Sequence, residues 1–244
     1  MKKSKKEVKK VVKKEVAKVP KLAKRKPKMA IRSVPSVVPL SEVQGPLYWE
    51  TRSLNDEHRD WDYNKKNWGE DYWESAKHPH RTLILEKLKE LNPKSVLEVG
   101  CNAGANLKLI KDYFPEARIA GLDINKDALA KAATMLPNAE LKLGNFLDPL
   151  PWDSGSFEVV LADAVLMYVK PTEIEAVLQE ITRVASRAVL FMERFNENRL
   201  GETTGHVWGR NYVGLLKSLK YEVDITKLSQ KHWPKSQNWH KYGY

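Results

Sequence analysis

The chain of 244 residues holds one cysteine, Cys101, which rules out a disulfide within the chain and a metal site built from cysteine alone. Its six histidines show no metal-ligand spacing beside that cysteine, so no metal is expected. No stretch approaches the roughly 18 consecutive apolar residues of a membrane-spanning helix, so no transmembrane segment is expected. The charged start is never followed by the apolar core of roughly 7–15 residues that marks a secretory signal. Internal repeats are also missing. These absences together suggest an intracellular, cytoplasmic protein.

The body of the chain also lacks net positive charge, although the whole carries +11. Residues 1–32 contain fifteen Lys or Arg and two Glu, which leaves −2 for the other 212 residues. Any polyanion attraction therefore belongs to this tail. Val8, Val11, Val12, Val16 and Val19 fall near helical spacing, but like charges repel and Pro20, Pro27, Pro35 and Pro39 keep the chain extended. A disordered basic tail over residues 1–40 is expected. Three readings stay open: a solubilising arm, an anchor through residues 1–32 for nucleic acid or an anionic surface, and, from "KRKPK", a nuclear-import patch.

Residues 41–94 form a second region, rich in aromatics. Seven of the chain's 22 aromatic residues lie between Tyr48 and Trp73. They either clamp this segment onto the body or form a lid and an acceptor wall, with Tyr72 and Trp73 nearest the next helix. That helix is expected over "PHRTLILEKLKEL", with Pro79 in its first turn and Pro93 past its end. His78 and His80 flank Pro79 and read as capping residues.

From Ser95 to Tyr244 short apolar runs alternate with helical patterns. "SVLEV", "RIAGLD", "AELKLG", "FEVVLADA" and "AVLFME" read as buried strands. Ile174, Val177, Leu178, Ile181 and Val184 mark one face of a helix. Near-continuous apolar strands separated by helices predict a parallel sheet covered on both faces. "YEVDITKL" alternates instead, as a half-exposed edge strand does.

Between the first strand and its helix stands "GCNAGAN". A glycine turn at a helix N-terminus suits an anionic or nucleotide-like ligand. Its glycines, Gly100 and Gly104, are spaced G-x-x-x-G, unlike the G-x-G-x-x-G of dinucleotide sites, with Asn102 at the middle position. Asn tolerates positive φ, so the turn survives that replacement. Glu98, ending the first strand, would repel a pyrophosphate and attract an ammonium group. Asp123, ending the second strand, can accept hydrogen bonds from both ribose hydroxyls. Asn145 can bond an adenine edge while Phe146 packs on its ring. Amino-acid end, ribose and adenine together describe S-adenosylmethionine.

On these residues the run from about Lys94 to Met192 resembles a class I S-adenosylmethionine-dependent methyltransferase, with "LEVGCNAG" and "LPWDSGSFEVV" standing where that family has similar motifs. The resemblance implies a Rossmann-like, seven-stranded, mostly parallel sheet. Its last strand, near 239–244, would run antiparallel. It implies a cofactor site of Glu98, Gly100, Asn102, Gly104, Asp123, Ile124, Asn145, Phe146 and Asp163. Asn145 departs from the family's common Asp. Cys101 sits inside the cofactor turn, which argues against a nucleophile.

Chemistry is expected at the carboxyl ends of the strands. Asp163 ends the fourth strand and is a candidate for orienting the acceptor or taking its proton. Capping the next loop is the plainer role. His206, in "ETTGHVWGR", is a second candidate base. Tyr168, with Tyr72 and Trp73, is a candidate substrate contact. "DAVLM" lacks the Asn/Asp-Pro-Pro-aromatic motif of base amino-methyltransferases. The expected function is methyl transfer to oxygen or nitrogen of a small-molecule or sugar-like acceptor. The alternatives are an RNA methyltransferase recruited by the tail and a non-catalytic nucleic-acid- or assembly-binding protein.

Overall fold

The computed structural model describes residues 46–52, 73, 75–197, 201–204, 207–234 and 243. The basic tail, Tyr72, His206 and all of the last expected strand except Gly243 lie outside these residues.

Helix α1 (Pro46–Thr51) precedes α2 (Pro79–Leu91), which has Pro79 in its first turn and closes on Asn92 in the left-handed conformation. Then come β1 (Ser95–Val99), α3 (Ala105–Tyr113), β2 (Arg118–Asp123), α4 (Lys126–Met135), β3 (Glu140–Leu143) and β4 (Phe157–Asp163). Helix α5 (Ile174–Val184) leads directly into β5 (Ala185–Met192). The hairpin β6 (Gly201–Thr204) and β7 (Val207–Gly209) and helix α6 (Tyr212–Ser218) follow.

Strands β1 to β5 form one parallel sheet in the order β3-β2-β1-β4-β5. Period-2 alternation sends side chains to two covered faces. Val96, Ile119, Val159 and Leu161 meet Ile84 and Leu88 of α2 and Leu107 and Ile110 of α3. Leu97, Val99, Val160 and Ala162 meet Ile174, Val177, Leu178 and Ile181 of α5. The same alternation puts Glu98 two residues beyond Val96, and Asp163 two beyond Leu161, on the α2/α3 face. Both stand at the carboxyl ends of β1 and β4, the neighbours between which the strand order reverses. Open α/β sheets bind ligands at that point.

Of the seven expected strands the sheet holds five among the described residues, and a separate antiparallel hairpin, β6–β7, follows β5. One expectation on strands needs correction. Residues 221–228, read as an edge strand, form none. The alternation there supplies no partner: Ile225 is 46% exposed and only Leu228 is buried, its amide donating to Gly243 O at 3.0 Å. Gly243 itself forms an isolated antiparallel bridge with Arg194, in the direction expected of a last strand.

Gly100 has φ 70°, and a Cβ there would collide with Val165 Cγ2 and lie 2.9 Å from Val165 Cβ. Gly100→Ala should therefore lower unfolding free energy by about 2–4 kcal/mol, adding left-handed strain to overpacking. Gly155 has the same φ of 70°, but a Cβ there would meet Ser186 Cβ at an ordinary contact distance of 3.6 Å. Gly155→Ala should cost only about 1 kcal/mol. Denaturant titration of both variants checks the contrast; equal losses would remove the role given to Val165.

Candidate active site

The site is assembled from three elements that meet on one face. His80, Ile84 and Leu88 recur every four residues along α2, so the stripe that packs apolar against the sheet ends in an imidazole above the strand ends. Arg81 lies beside it. Asn106 is one residue before Leu107 and four before Ile110, in the first turn of α3.

These side chains converge on two carboxylates. Asp163 Oδ2 accepts from His80 Nε2 at 3.2 Å, Arg81 Nη1 at 3.1 Å and Asn106 Nδ2 at 2.9 Å. Asn106 Nδ2 also donates to Glu98 Oε1 at 2.7 Å. Burial alone would raise the Asp163 carboxyl, but His80, Arg81 and Asn106 outweigh it and hold it well below the usual carboxylate range. Glu98, 1% exposed, is pushed up to about 8 by burial, against the Asn106 hydrogen bond and Arg81, with Asp163 and Asp123 adding to the rise. Glu98 Oε2, Asn106 Oδ1 and Asp163 Oδ1 are buried with no hydrogen-bond partner. Unpaired buried acceptors cost about 1–3 kcal/mol each and ask for a donor.

Hydrogen bonds hold the glycine turn. Gly100 and Cys101 amides donate to Leu122 O, at 2.7 and 3.1 Å, tying the turn to β2. Asn102 adopts φ 51° and Gly104 φ 81°. Asp123 Oδ2 accepts from Asn102 N at 2.7 Å and its Oδ1 from Asn125 N at 2.8 Å. Burial raises the Asp123 carboxyl, while the Asn125, Asn102 and Ile124 amides pull it down. Cys101 is wholly buried, and burial, with Asp123 and Glu98 near, drives its thiol well up, which removes it as a nucleophile.

The remaining sequence candidates are more scattered. Asn145 Oδ1 accepts from Leu147 N at 3.0 Å, so its side chain braces its own loop, and Gly144 N before it donates to Asp123 O at 2.9 Å. Ile124 and Phe146 are half-buried, the latter packed against the α5-side core. Trp73 is half-buried. Tyr168 lies in the turn after β4, its ring edge-on to Trp49 at 5.2 Å. His78 caps α2 as expected, facing His80 N at 3.4 Å. His80 does more than cap, since it reaches Asp163. Among the described residues no group of three or more His, Cys, Asp or Glu is placed to hold a metal ion.

Sequence reading missed His80, Arg81 and Asn106 as members of this cluster. The four-residue stripe through His80, Ile84 and Leu88 was the available signal. It also missed Glu193, 1% exposed just past β5 and pushed up to about 8 by burial. Its carboxylate accepts from the amides of Val165 at 2.9 Å, Leu166 at 2.8 Å and Met167 at 3.1 Å, and so shapes the turn after β4.

A family profile described as a methyltransferase domain matches residues 96–187, which include β1, the glycine turn, Asp123 and Asp163. This is a class I S-adenosylmethionine-dependent methyltransferase domain. Among similar proteins, a trans-aconitate 2-methyltransferase of Rhodopseudomonas palustris (strain BisA53) is 27% identical over 141 residues, 49% of this chain and 53% of that one. Methyltransferase str2 of Strobilurus tenacellus is 30% identical over 76 residues, 31% of this chain and 26% of its own. The chain thus spans about half the length of the first of these relatives and less of the second. Among solved structures, the methyltransferase domain of a bacterial CtHen1-CN shares 19% identity over 60% of this chain and 87% of its own, with a TM-score of 0.48.

The residues of the methyltransferase domain fit the family's cofactor. The methionine end of S-adenosylmethionine bears an ammonium with three N–H donors and a positive charge. The crevice has three unpartnered buried acceptor oxygens, one of them on the Asp163 carboxylate, beside the glycine turn.

Proposed function

We propose that the chain is an enzyme that moves a methyl group from S-adenosylmethionine to oxygen or nitrogen of a small-molecule or sugar-like acceptor. The observation that supports this most is the trio of orphaned acceptors, Glu98 Oε2, Asn106 Oδ1 and Asp163 Oδ1, at the point where the strand order reverses. Relatives named for trans-aconitate favour a small acceptor over a macromolecular one.

S-Adenosylmethionine supplies an electrophilic methyl on a sulfonium. In this reading Glu98, Asn106 and Asp163 hold the ammonium, and the Gly100–Gly104 turn cradles the chain beside it. Asp123, with Ile124, takes the ribose, and Asn145 with Phe146 flanks the adenine. Alignment of the acceptor with the methyl–sulfur axis then supplies much of the rate. Helix α1, at the start of the aromatic region, acts as part of a lid. Asn125 Nδ2 donates to Trp49 O at 2.7 Å and Arg52 O at 2.8 Å, while the Trp49 ring meets Tyr168. Helix α1 therefore bridges the ends of β2 and β4. Trp73 and Tyr168 wall the acceptor side, with Tyr72 a substrate candidate and His206 a base candidate beyond the described residues.

This arrangement makes cofactor affinity depend on pH. Glu98 holds a proton below about 8, with Arg81, Asp163 and Asp123 as its charged neighbours. An ammonium beside it favours the carboxylate, so binding releases that proton. Affinity should rise between pH 6 and 7.5, approaching about tenfold per unit for one proton released. Glu98→Gln should flatten that slope. Calorimetry in two buffers of different ionisation enthalpy reads the proton directly; proton uptake on binding would contradict the assignment.

The acceptor class is tested with tritium-methyl S-adenosylmethionine and cell extract split into RNA, DNA, protein and small molecules. Label in the small-molecule fraction is expected. Label in RNA alone would transfer the reading to the tail-recruited RNA methyltransferase, and label nowhere with intact cofactor binding would favour a binding protein.

A further inference from the structure

Asn125 stands two residues past Asp123, beyond the carboxyl end of β2, and is 2% exposed. Its side chain joins two helices. Oδ1 accepts from Ala128 N at 2.8 Å and caps α4. Nδ2 donates to Trp49 O at 2.7 Å and to Arg52 O at 2.8 Å, at the end of α1. The contacts fix which end of the amide is which. Turned over, it would set N–H against N–H and an oxygen against two carbonyls. The backbone amide of Asn125 donates to Asp123 Oδ1 at 2.8 Å, so the same residue is anchored on the carboxylate assigned to the ribose.

The last carbonyls of a helix have no partner within it. Asn125 supplies a donor to this end of α1 from outside. None of the residues of α1 is buried, and Leu47 and Tyr48 are 48% and 40% exposed. An element that buries so little surface opens at low cost, so two hydrogen bonds weigh heavily in its equilibrium.

Trp49 touches both sides of the crevice. Its carbonyl is held at the end of β2, and its ring meets Tyr168 in the turn after β4. Strand β1 lies between those two strands, which puts them about 10 Å apart. Trp49 therefore crosses the carboxyl end of β1, where the glycine turn begins.

From this geometry we infer that Asn125 is the latch of α1 and sets how fast S-adenosylmethionine enters and leaves the crevice. The inference rests on the cofactor reading above and adds to it the control of passage. Asn125 is a positioning residue, since it acts through α1 and not on the reacting atoms. Its side chain bonds to Ala128, Trp49 and Arg52, none of which is assigned to the cofactor. The latch is therefore equally strong with the crevice filled or empty. A lid of equal strength in both states scales entry and release by the same open fraction and leaves affinity unchanged.

Two measurements on the full chain test this. Asn125→Ser keeps a good helix cap and loses the amide donors. Asn125→Asp caps as well and, when ionised, has no donor at all. The first measurement is cleavage by dilute trypsin after Arg52, whose carbonyl is one of the two clasped. At low protease the rate follows the open population. Both variants should speed this cut about tenfold, the effect of two lost hydrogen bonds. The cut after Lys131, inside α4, should keep its wild-type rate because the cap persists. An unchanged cut after Arg52, or equal acceleration at both sites, overturns the latch. The second measurement is stopped-flow binding of S-adenosylmethionine to Asn125→Ser. Entry and release should both rise about tenfold, with Kd within threefold of wild type. Faster release alone, or no change in either rate, overturns the control of passage and leaves the cofactor reading standing. A wild-type chain that does not bind S-adenosylmethionine refutes the cofactor reading and the gating with it, while the cut after Arg52 still decides the latch.

Discussion

Replacing Glu193 with Ala should lower unfolding free energy by about 3–5 kcal/mol. The amides of Val165, Leu166 and Met167 all lose their acceptor, at about 1–3 kcal/mol for each buried donor left unpaired. Glu193→Gln should cost less, about 1–2 kcal/mol, because one carbonyl oxygen can still serve the two amides that Oε1 now serves. The affinity for S-adenosylmethionine should fall with the Ala variant even where the protein remains folded, since the turn after β4 supplies Val165 against Gly100. Denaturant unfolding measures the first effect; an Ala variant as stable as the Gln variant would show that the turn holds itself.

The second large effect belongs to Asp163. Asp163→Ala leaves Arg81, 4% exposed, with its charge uncompensated at that position. Removing one partner of a buried ion pair costs about 3–5 kcal/mol. Asp163→Asn should recover little of it, because the amide keeps the shape and loses the charge. The pH dependence follows from the shifts. Asp163, held low, contributes stability that is present above its unfolded value of 3.8 and is lost as pH falls below that. Glu98 and Glu193, raised from 4.5 to about 8, act in the opposite sense: their contribution is full below 4.5 and is lost as pH rises toward 8. Unfolding free energy should thus decline between pH 6.5 and 8, above the range in which the depressed His78 and His80 act in the opposite sense, and Glu98→Gln should reduce the slope. A rise in stability over that range would contradict the burial assigned to these carboxyls.

Much of this organisation was legible in the sequence. The "SVLEV" and "RIAGLD" runs coincide with β1 and β2, and the helix marked by Pro79 and Pro93 with α2, because continuous apolar runs and proline punctuation act locally. Asn102 takes the positive φ that the missing glycine required. The 221–228 segment misled because alternation reports one covered face and says nothing of a partner strand. His80 and Arg81 were read as a helix start. Their partner, Asp163, lies more than 80 positions away in sequence, and only the packing of α2 over the strand ends joins them. Glu193 was hidden likewise, since a carboxylate that accepts backbone amides from a distant turn has no local signature.

In the proposed reading the crevice between the ends of β1 and β4 holds the methionine end of S-adenosylmethionine. Isothermal titration at pH 7.5 with S-adenosylmethionine, and separately with NAD, tests it most directly. Micromolar binding of S-adenosylmethionine with proton release, at least tenfold weaker binding in Asp123→Ala, and no binding of NAD are expected. Micromolar binding of NAD with none of S-adenosylmethionine, or an Asp123→Ala variant that binds the methyl donor as tightly as wild type, would contradict it.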